Sequence, residues 1–457
     1  MSKHLHFIGI CGTAMGSTAV ALRQLGYTIS GSDEKVYPPM SDVLREAGIT
    51  LVEGYQAATL PADADLYIVG NAISRGNEEL ETLLERKLPY VSMAELLKQE
   101  VIQGKRSFVV SGTHGKTTTT TMLAWIFENA GRDPGFMIGG VPENFATGAR
   151  FNHSDLFVIE GDEYDTAYFD KRSKFLHYLP ECAIVNNIEF DHADIFRDLS
   201  DILLTFQRLL NSVPRNGLVL MNGDDPNCLS LKSYAPVKTV GTGASCSERI
   251  VITHVTPEST AFEINGVAFS VPMIGEFNVR NASMCICAAR HAGLSDEDIR
   301  AGLESFKGIR RRQTVRGEVG GITVIDDFGH HPTAIRETLR GFRQKYPGRR
   351  LWAVFEPRSN TSRRNVLQDQ LIEALKEADG SIVAAVANPE KVAAAERLDV
   401  STVAAAVAAS GHPCFHEIST DSIIARLKAE TKTGDVIIIF SNGGFDGIHG
   451  KLLQALA

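Results

Sequence analysis

The chain has 457 residues, 44% of them hydrophobic and 22% charged, with a formal net charge of -9. Such a composition belongs to a globular protein of roughly two to four domains, three being the natural prior, and excludes a disordered chain. The acidic balance argues against a nucleic-acid binder, yet leaves room for anionic small ligands held by basic clusters such as "GIRRRQTVRGE" and "DKRSKF". Apolar runs such as "GDVIIIF" are too short to cross a bilayer, and "MSKHLHFIGICG" has no signal-peptide layout, so a cytoplasmic protein without membrane insertion is expected. Seven scattered cysteines with no C-x-x-C pair point to reduced core thiols, not to disulfides or zinc.

Short apolar runs alternate with amphipathic stretches, the pattern of βα units and of an α/β fold. A first block, 1–106, reads as strand "HLHFIGI", a glycine turn, helix "MGSTAVALRQLG", strand "YTISGSD" and further units including "DLYIVGNAI". Its turn "GICGTAMG" sets Gly9, Gly12 and Gly16 between strand and helix, where a pyrophosphate can approach closely. Cys11 stands where G-x-G-x-x-G has its second glycine, and no Lys-Thr pair follows, so this turn has the means to cradle phosphates and not to activate them. Asp33, ending the next strand, either accepts from a ribose hydroxyl or caps a turn.

The second block, 107–310, opens on "RSFVVSGTHGKTT". Here a strand feeds a glycine loop and then helix-compatible residues, so backbone N–H groups converge on phosphate at a helix N-terminus. Lys116 adds a positive charge, and Thr117 is placed to give its hydroxyl to Mg²⁺. Strand "DLFVIE" ends in "EGDEYD", clustering Glu160, Asp162, Glu163 and Asp165, hard oxygen donors of the kind Mg²⁺ takes. "CAIVNNI" runs into Asn187, Glu189, Asp191 and His192; strand "GLVLMN" and helix "NASMCICAARHAG" follow. The third block, 311–457, carries strands "ITVIDD", "LWAVFE", "SIVAAV" and "DVIIIFS", the helix "VSTVAAAVAASG", and a second concentration of Asp326, Asp327, His330 and His331 directly after its first strand.

In this order, "GTHGKTT", "EGDEYD", "NIEFDH", "GEFNVRNA", "RRR" and "DDFGHHP" resemble the Mur ligase superfamily of ATP-dependent amide ligases, over nearly the whole chain. The resemblance implies three domains: a Rossmann-like N-terminal domain for a UDP-sugar, a central P-loop ATPase domain, and a Rossmann-like C-terminal domain that closes on ATP and the incoming amine. Within the superfamily the chain resembles the branch that uses UDP-N-acetylmuramate. "VYPPM", "YFDKRSKF", "FEPRSNT" and "SNGGFDGIH" resemble members that attach the tripeptide L-alanyl-γ-D-glutamyl-meso-diaminopimelate recovered from old cell wall.

The implied chemistry is phosphorylation of the muramoyl carboxylate by ATP, then attack of the amine on the acyl phosphate. The resemblance places ATP on Gly112, Thr113, His114, Gly115, Lys116, Thr117 and Thr118, with Asn278, Asn281, Arg312 and Asp327. It places the UDP-sugar on Gly9, Cys11, Gly12, Thr13, Ala14, Met15, Asp33, Asn71 and Ser74. Lys116, His192, Glu163 and His330 would be catalytic, and Mg²⁺, or Mn²⁺ in its place, would be held by Thr117, by Glu160 or Glu163, and by His192. Arg358, Asn360, Asn442 and Gly443 are the peptide candidates, since arginine grips a carboxylate with two parallel bonds.

Two departures stand out. Phe277 occupies a position where relatives carry His, substituting stacking for a ring hydrogen bond. No lysine lies between Ala193 and Leu231, where some relatives use a modified lysine on a second metal, so Gln207 or water is expected there. The rival readings are a ligase that adds L-alanine to the same sugar and, from another class, a nucleotide-dependent switch; a dehydrogenase leaves "GTHGKTT" unused. A monomer or weak oligomer is expected.

Overall fold

Strands that are apolar on every residue, closed by glycine turns, become parallel strands covered on both faces. The computed structural model describes residues 2–457. The chain divides into two units. One comprises the chain up to Ile188 with Ser200–Glu248 and Met284–Leu303; the other comprises Glu189–Leu199, Arg249–Ser283 and Glu304–Ala457.

The first unit holds two sheets. In the first, β1 (His4–Ile8), β2 (Thr28–Asp33), β3 (Thr50–Glu53), β4 (Leu66–Val69) and β5 (Tyr90–Ser92) lie parallel in the order β3-β2-β1-β4-β5. Strand order reverses between β1 and β4, so the turns that follow these two strands flank the crevice where ligands gather in doubly wound sheets. The turn after β1 is tight. Gly9 has φ +87°, and a side chain on Gly31 would meet Ile10 at 2.6 Å and the Phe7 carbonyl at 2.7 Å.

The second sheet of this unit begins with β6 (Arg106–Ser111), β7 (Gly135–Met137), β8 (Ala149–Arg150) and β9 (Leu156–Glu160). A separate antiparallel hairpin, β10 (Asp165–Ala167) and β11 (Asp170–Ser173), intervenes before β12 (Pro180–Val185), β13 (Leu218–Asn222) and β14 (Val237–Gly241). Here β14-β13-β12-β6-β9-β7 run parallel, with β8 antiparallel to β7. Helix Lys116–Asn129 packs on this sheet, where Phe127 meets Phe108 edge to face at 5.2 Å.

In the second unit an antiparallel meander, β15 (Glu248–Val255), β16 (Thr260–Ile264) and β17 (Val267–Val271), precedes the main sheet. That sheet takes β18 (Thr314–Val319), β19 (Ile322–Asp327), β20 (Leu351–Phe355), β21 (Gly380–Ala384), β22 (Cys414–Glu417) and β23 (Val436–Phe440) in the order β18-β19-β23-β20-β21-β22. Only β18 is antiparallel to its neighbour. Two cores form because side chains alternate across a strand. Val436, Ile438 and Phe440 join Leu351, Ala353 and Phe355 on one face, while Ile437 and Ile439 join Trp352 and Val354 on the other.

Each apolar run singled out in the sequence is a strand. The meander and β18 were not expected: their alternation leaves much of each strand exposed, and a weakly apolar edge gives little periodic signal. The helix expected from "NASMCICAARHAG" starts earlier, at Glu276, directly after Gly275 with φ +90°. No helix among the described residues is long and apolar enough to cross a membrane.

His6, in the middle of β1 and 1% exposed, pairs through Nδ1 with Ser30 Oγ at 2.8 Å. Burial first, and the neighbouring His4 second, lower its pKa from 6.5 to about 4. The folded chain therefore refuses a proton that the unfolded chain accepts. This contribution to stability is whole above pH 6.5 and falls away as the pH drops towards about 4. Chemical denaturation of His6→Leu across that window should show a flatter loss of stability than the parent; parallel curves would contradict the assignment.

Candidate active site

The loop between β6 and helix Lys116–Asn129 is shaped by two glycines and one asparagine. Gly112 (φ +127°) and Gly115 (φ +80°) take conformations that side chains disfavour, and a Cβ on Gly112 would meet the backbone of Asn186 and Asn187 at 3.0 Å. Asn187, just beyond β12, clamps the loop. Its carbonyl accepts from Thr113 N at 3.0 Å, its side-chain oxygen accepts from His114 N at 2.7 Å, and its Nδ2 donates to His114 O at 3.2 Å. The helix opens on Gly115 without a side-chain cap, so its first amides are not claimed by a capping side chain.

Lys116 Nζ donates to both Glu163 oxygens, at 3.0 and 2.9 Å, and to Gly112 O at 2.7 Å. Burial alone would lower its pKa. The carboxylates of Glu163, Asp162 and Glu160 outweigh that and hold the ammonium above its usual range. Asp162 is partly buried, which opposes its charge, yet Lys174, which donates to it at 2.6 Å, and Lys116 bring its carboxyl below the usual range. Thr117 Oγ1 donates to Glu160 Oε1 at 2.9 Å, and Gly139 N to Glu160 Oε2 at 2.8 Å. A hydroxyl and a carboxylate oxygen thus face each other at the helix start, a hard-oxygen pair that suits Mg²⁺ or Mn²⁺.

The first sheet's turn also ends on an uncapped helix, Thr13–Gln24, whose N-cap is Gly12. Gly12, Thr13 and Ala14 are exposed there, as are Asn71 and Ser74 on the turn after β4. These two turns border the β1/β4 crevice. Met15 is buried, its methyl directed at Gly70, so it supports the turn from beneath. Asp33 accepts from Cys11 N at 2.8 Å: of the two roles left open for it, the turn cap is observed.

In the second unit, the loops after β19, β20 and β23 gather at one sheet edge, since these strands are parallel neighbours. His331 pairs with Glu189 at 3.3 Å, Thr333 Oγ1 donates to Glu189 at 2.9 Å, and His330 lies 3.8 Å from Asp191. Burial opposes the charge of Asp191, but His192, His330 and His331, with a bond from Thr361, draw its carboxyl well below the usual range. His192 itself has φ +55°. Asp327, buried, accepts from Gln313 N and Gly329 N; burial nonetheless raises its carboxyl, which Arg312 only partly offsets. Arg312 stacks on Phe328 at 4.9 Å.

Several of the expected site residues have protein partners of their own. The Thr113 and His114 amides are spent on Asn187 and shape the loop. Asn360 donates to Asp194 at 2.7 Å and accepts from Arg363, so its amide ties two loops together. Gln207 uses both ends of its amide on Lys232 and Asn211, which removes it as a stand-in for the missing lysine. Asn278 is 1% exposed and donates to Ile274 O at 2.8 Å; Asn281 is also buried. Phe277 is half-buried beside Gly275, with no room for a side chain between them. Arg358 pairs with Glu356 at 3.4 Å, and its guanidinium lies where a Cβ on Gly443 would be, so these two peptide candidates are in contact, with Asn442 adjoining. Glu356, Thr361 and Arg311 lie within "FEPRSNT" and "RRR" but are not singled out there, because the partners that give them a role, such as Ser441 for Glu356 and for Arg311, are distant in sequence.

Three family models match in chain order: the Mur ligase family, catalytic domain, over residues 4–104; the Mur ligase middle domain over 110–289; and the Mur ligase, glutamate ligase domain, over 310–443. The chain is 42% identical to the UDP-N-acetylmuramate–L-alanyl-gamma-D-glutamyl-meso-2,6-diaminoheptandioate ligase of Escherichia coli, covering 99% of this chain and 98% of the relative. It is 34% identical to a UDP-N-acetylmuramate–L-alanine ligase of Myxococcus xanthus, covering 100% and 95%. A solved murein peptide ligase from Psychrobacter arcticus superposes with a TM-score of 0.71 at 38% identity, covering 100% and 99%.

If Asn187 shapes the phosphate loop, Asn187→Ala should weaken nucleotide binding about tenfold, the order of one or two lost hydrogen bonds. Titration with a fluorescent ATP analogue would read it, and an unchanged affinity would remove Asn187 from the site.

Proposed function

The chain belongs to the Mur ligase family, and we propose that it joins the carboxylate of UDP-N-acetylmuramate to the amine of L-alanyl-γ-D-glutamyl-meso-diaminopimelate, driven by ATP. The observation that carries this reading is the buried ammonium of Lys116, set against a glycine loop and an uncapped helix start beside Glu160 and Glu163. The higher identity to the tripeptide-adding relative than to the L-alanine-adding one supports the choice of amine.

A carboxylate does not acylate an amine in water, because its oxygen is a poor leaving group. In the proposed sequence a muramoyl carboxylate oxygen attacks the γ-phosphorus and the bond to ADP breaks. The amine then attacks the acyl carbon, phosphate departs, and the amine's proton is lost. No protein nucleophile is needed, so the chain's part is to position and neutralise. Lys116 holds the phosphoryl oxygens, and the amides at the helix start face the same charge. Thr117 and Glu160 are the donors proposed for Mg²⁺, with Glu163 first paired to Lys116; a divalent ion there supplies charge neutralisation. His192 is proposed as a ligand of a second ion, and His330, beside Asp191, as the group that takes the amine's proton.

The β1/β4 crevice, with Gly9, Gly12 to Ala14, Asn71 and Ser74, is proposed for the UDP-sugar, and Asn278, Asn281, Arg312 and Asp327 for the nucleotide's surroundings. Arg358 and Gly443 are proposed for the tripeptide. The cytoplasm, where ATP is plentiful, is the proposed location.

Phosphate release with ATP, Mg²⁺ and UDP-N-acetylmuramate should be strong with the tripeptide and slight with L-alanine. The reverse order would assign the L-alanine reaction instead, and release indifferent to either amine would mark a nucleotide switch. Lys116→Ala should abolish turnover while UDP-N-acetylmuramate still binds; loss of both would mean that the two glycine turns serve one ligand.

A further inference from the structure

Behind the Ser441–Gly443 loop lies a chain of charges that the proposed reaction has not used. Asp326, at the end of β19 and 2% exposed, faces a histidine and an arginine. His449 Nε2, from helix Ile448–Leu456, lies 3.4 Å from its Oδ1, and Arg311 Nε lies 3.4 Å from its Oδ2. Burial opposes ionisation of Asp326, but His449 and Arg311 outweigh it, so the carboxylate is kept charged. Arg311 then reaches forward. Its Nη2 donates to Ser441 O at 3.0 Å and to Gly443 O at 2.6 Å, while its guanidinium stacks on Phe328 at 5.5 Å.

The grip falls on a loop that has little room to move. Gly443 has no side chain where the Arg358 guanidinium lies, and Ser441 Oγ donates to Glu356 at 2.5 Å. Beyond it Phe445 and Asp446 both have positive φ, a costly pair that surrounding contacts must hold. Arg311 has φ +61°, and its carbonyl accepts from Phe328 N at 2.9 Å, so its own placement is enforced.

We propose that His449 and Asp326 are positioning residues for the peptide substrate: acting through Arg311, they set the Ser441–Gly443 loop against Arg358. This rests on the reading of Arg358 and that loop as peptide contacts. Neither His449 nor Asp326 touches substrate. Their effect is to fix a guanidinium whose bonds to two carbonyls define the shape of the pocket wall.

The test compares His449→Leu, which keeps bulk and removes the ring nitrogen that faces Asp326, with His449→Gln, whose amide can face Asp326 Oδ1 in place of Nε2. In the full-length enzyme His449→Leu should raise the tripeptide KM about tenfold, the scale of a buried charge that loses one polar neighbour, and leave the KM values for ATP and UDP-N-acetylmuramate unchanged. His449→Gln should restore most of the loss. Should the leucine variant fail to fold, the same split in Asp326→Asn decides. An unchanged tripeptide KM, or a rise in all three KM values together with a lower thermal midpoint, overturns the proposal. Arg358→Ala separates the two levels: if it raises the tripeptide KM while His449→Leu does not, the positioning chain alone fails, and if it too has no effect, the peptide reading fails and takes the inference with it.

Discussion

The ammonium of Lys116 is paired with Glu163 in surroundings that leave the lysine side chain 14% and the glutamate 3% exposed. At that depth neither charge is screened as a surface pair is, and removing one partner typically costs about 3–5 kcal/mol because the other is left buried alone. This sets a rule of exchange for the site. On the proposed reading a phosphate oxygen competes with this carboxylate for the ammonium, and a Glu163 so released would need another cation. In the proposed reaction a triphosphate that arrives with a divalent ion would meet both demands at once, while Lys174 stays paired with Asp162.

Each unit, taken by itself, places its chemistry at the carboxyl ends of parallel strands. The turns after β1 and β4, the loop after β6, the acidic run after β9 and the segments after β19, β20 and β23 all leave the sheets on that side. The glycines at these ends answer to different needs. Gly112 must let the loop pass the backbone of Asn186 and Asn187, whereas Gly443 leaves space for a guanidinium.

How much of this was legible depended on whether a function is local in the chain. "GTHGKTT" revealed its loop because strand, glycines, lysine and threonine are consecutive, and the buried strands announced themselves as apolar runs. Asn187 escaped notice as the clamp of that loop because it lies many residues downstream and reaches it only through the pairing of β12 with β6. The same holds for Asn360, whose partner Asp194 is distant in sequence, and for Gln207, captured by the Lys232 backbone. Glu160 and Glu163 looked equivalent as letters. Their difference arises from the geometry of the turn, which directs one at Thr117 and the other at Lys116.

The proposed reaction depends on the transfer of a phosphoryl group from a nucleotide at the Lys116 loop to the muramoyl carboxylate. UDP-N-acetylmuramate carrying ¹⁸O in that carboxylate, turned over with ATP and the tripeptide, tests this directly by mass spectrometry of the liberated phosphate. The label should pass into the phosphate as the acyl phosphate collapses. Phosphate free of ¹⁸O, formed alongside the amide, would contradict the account.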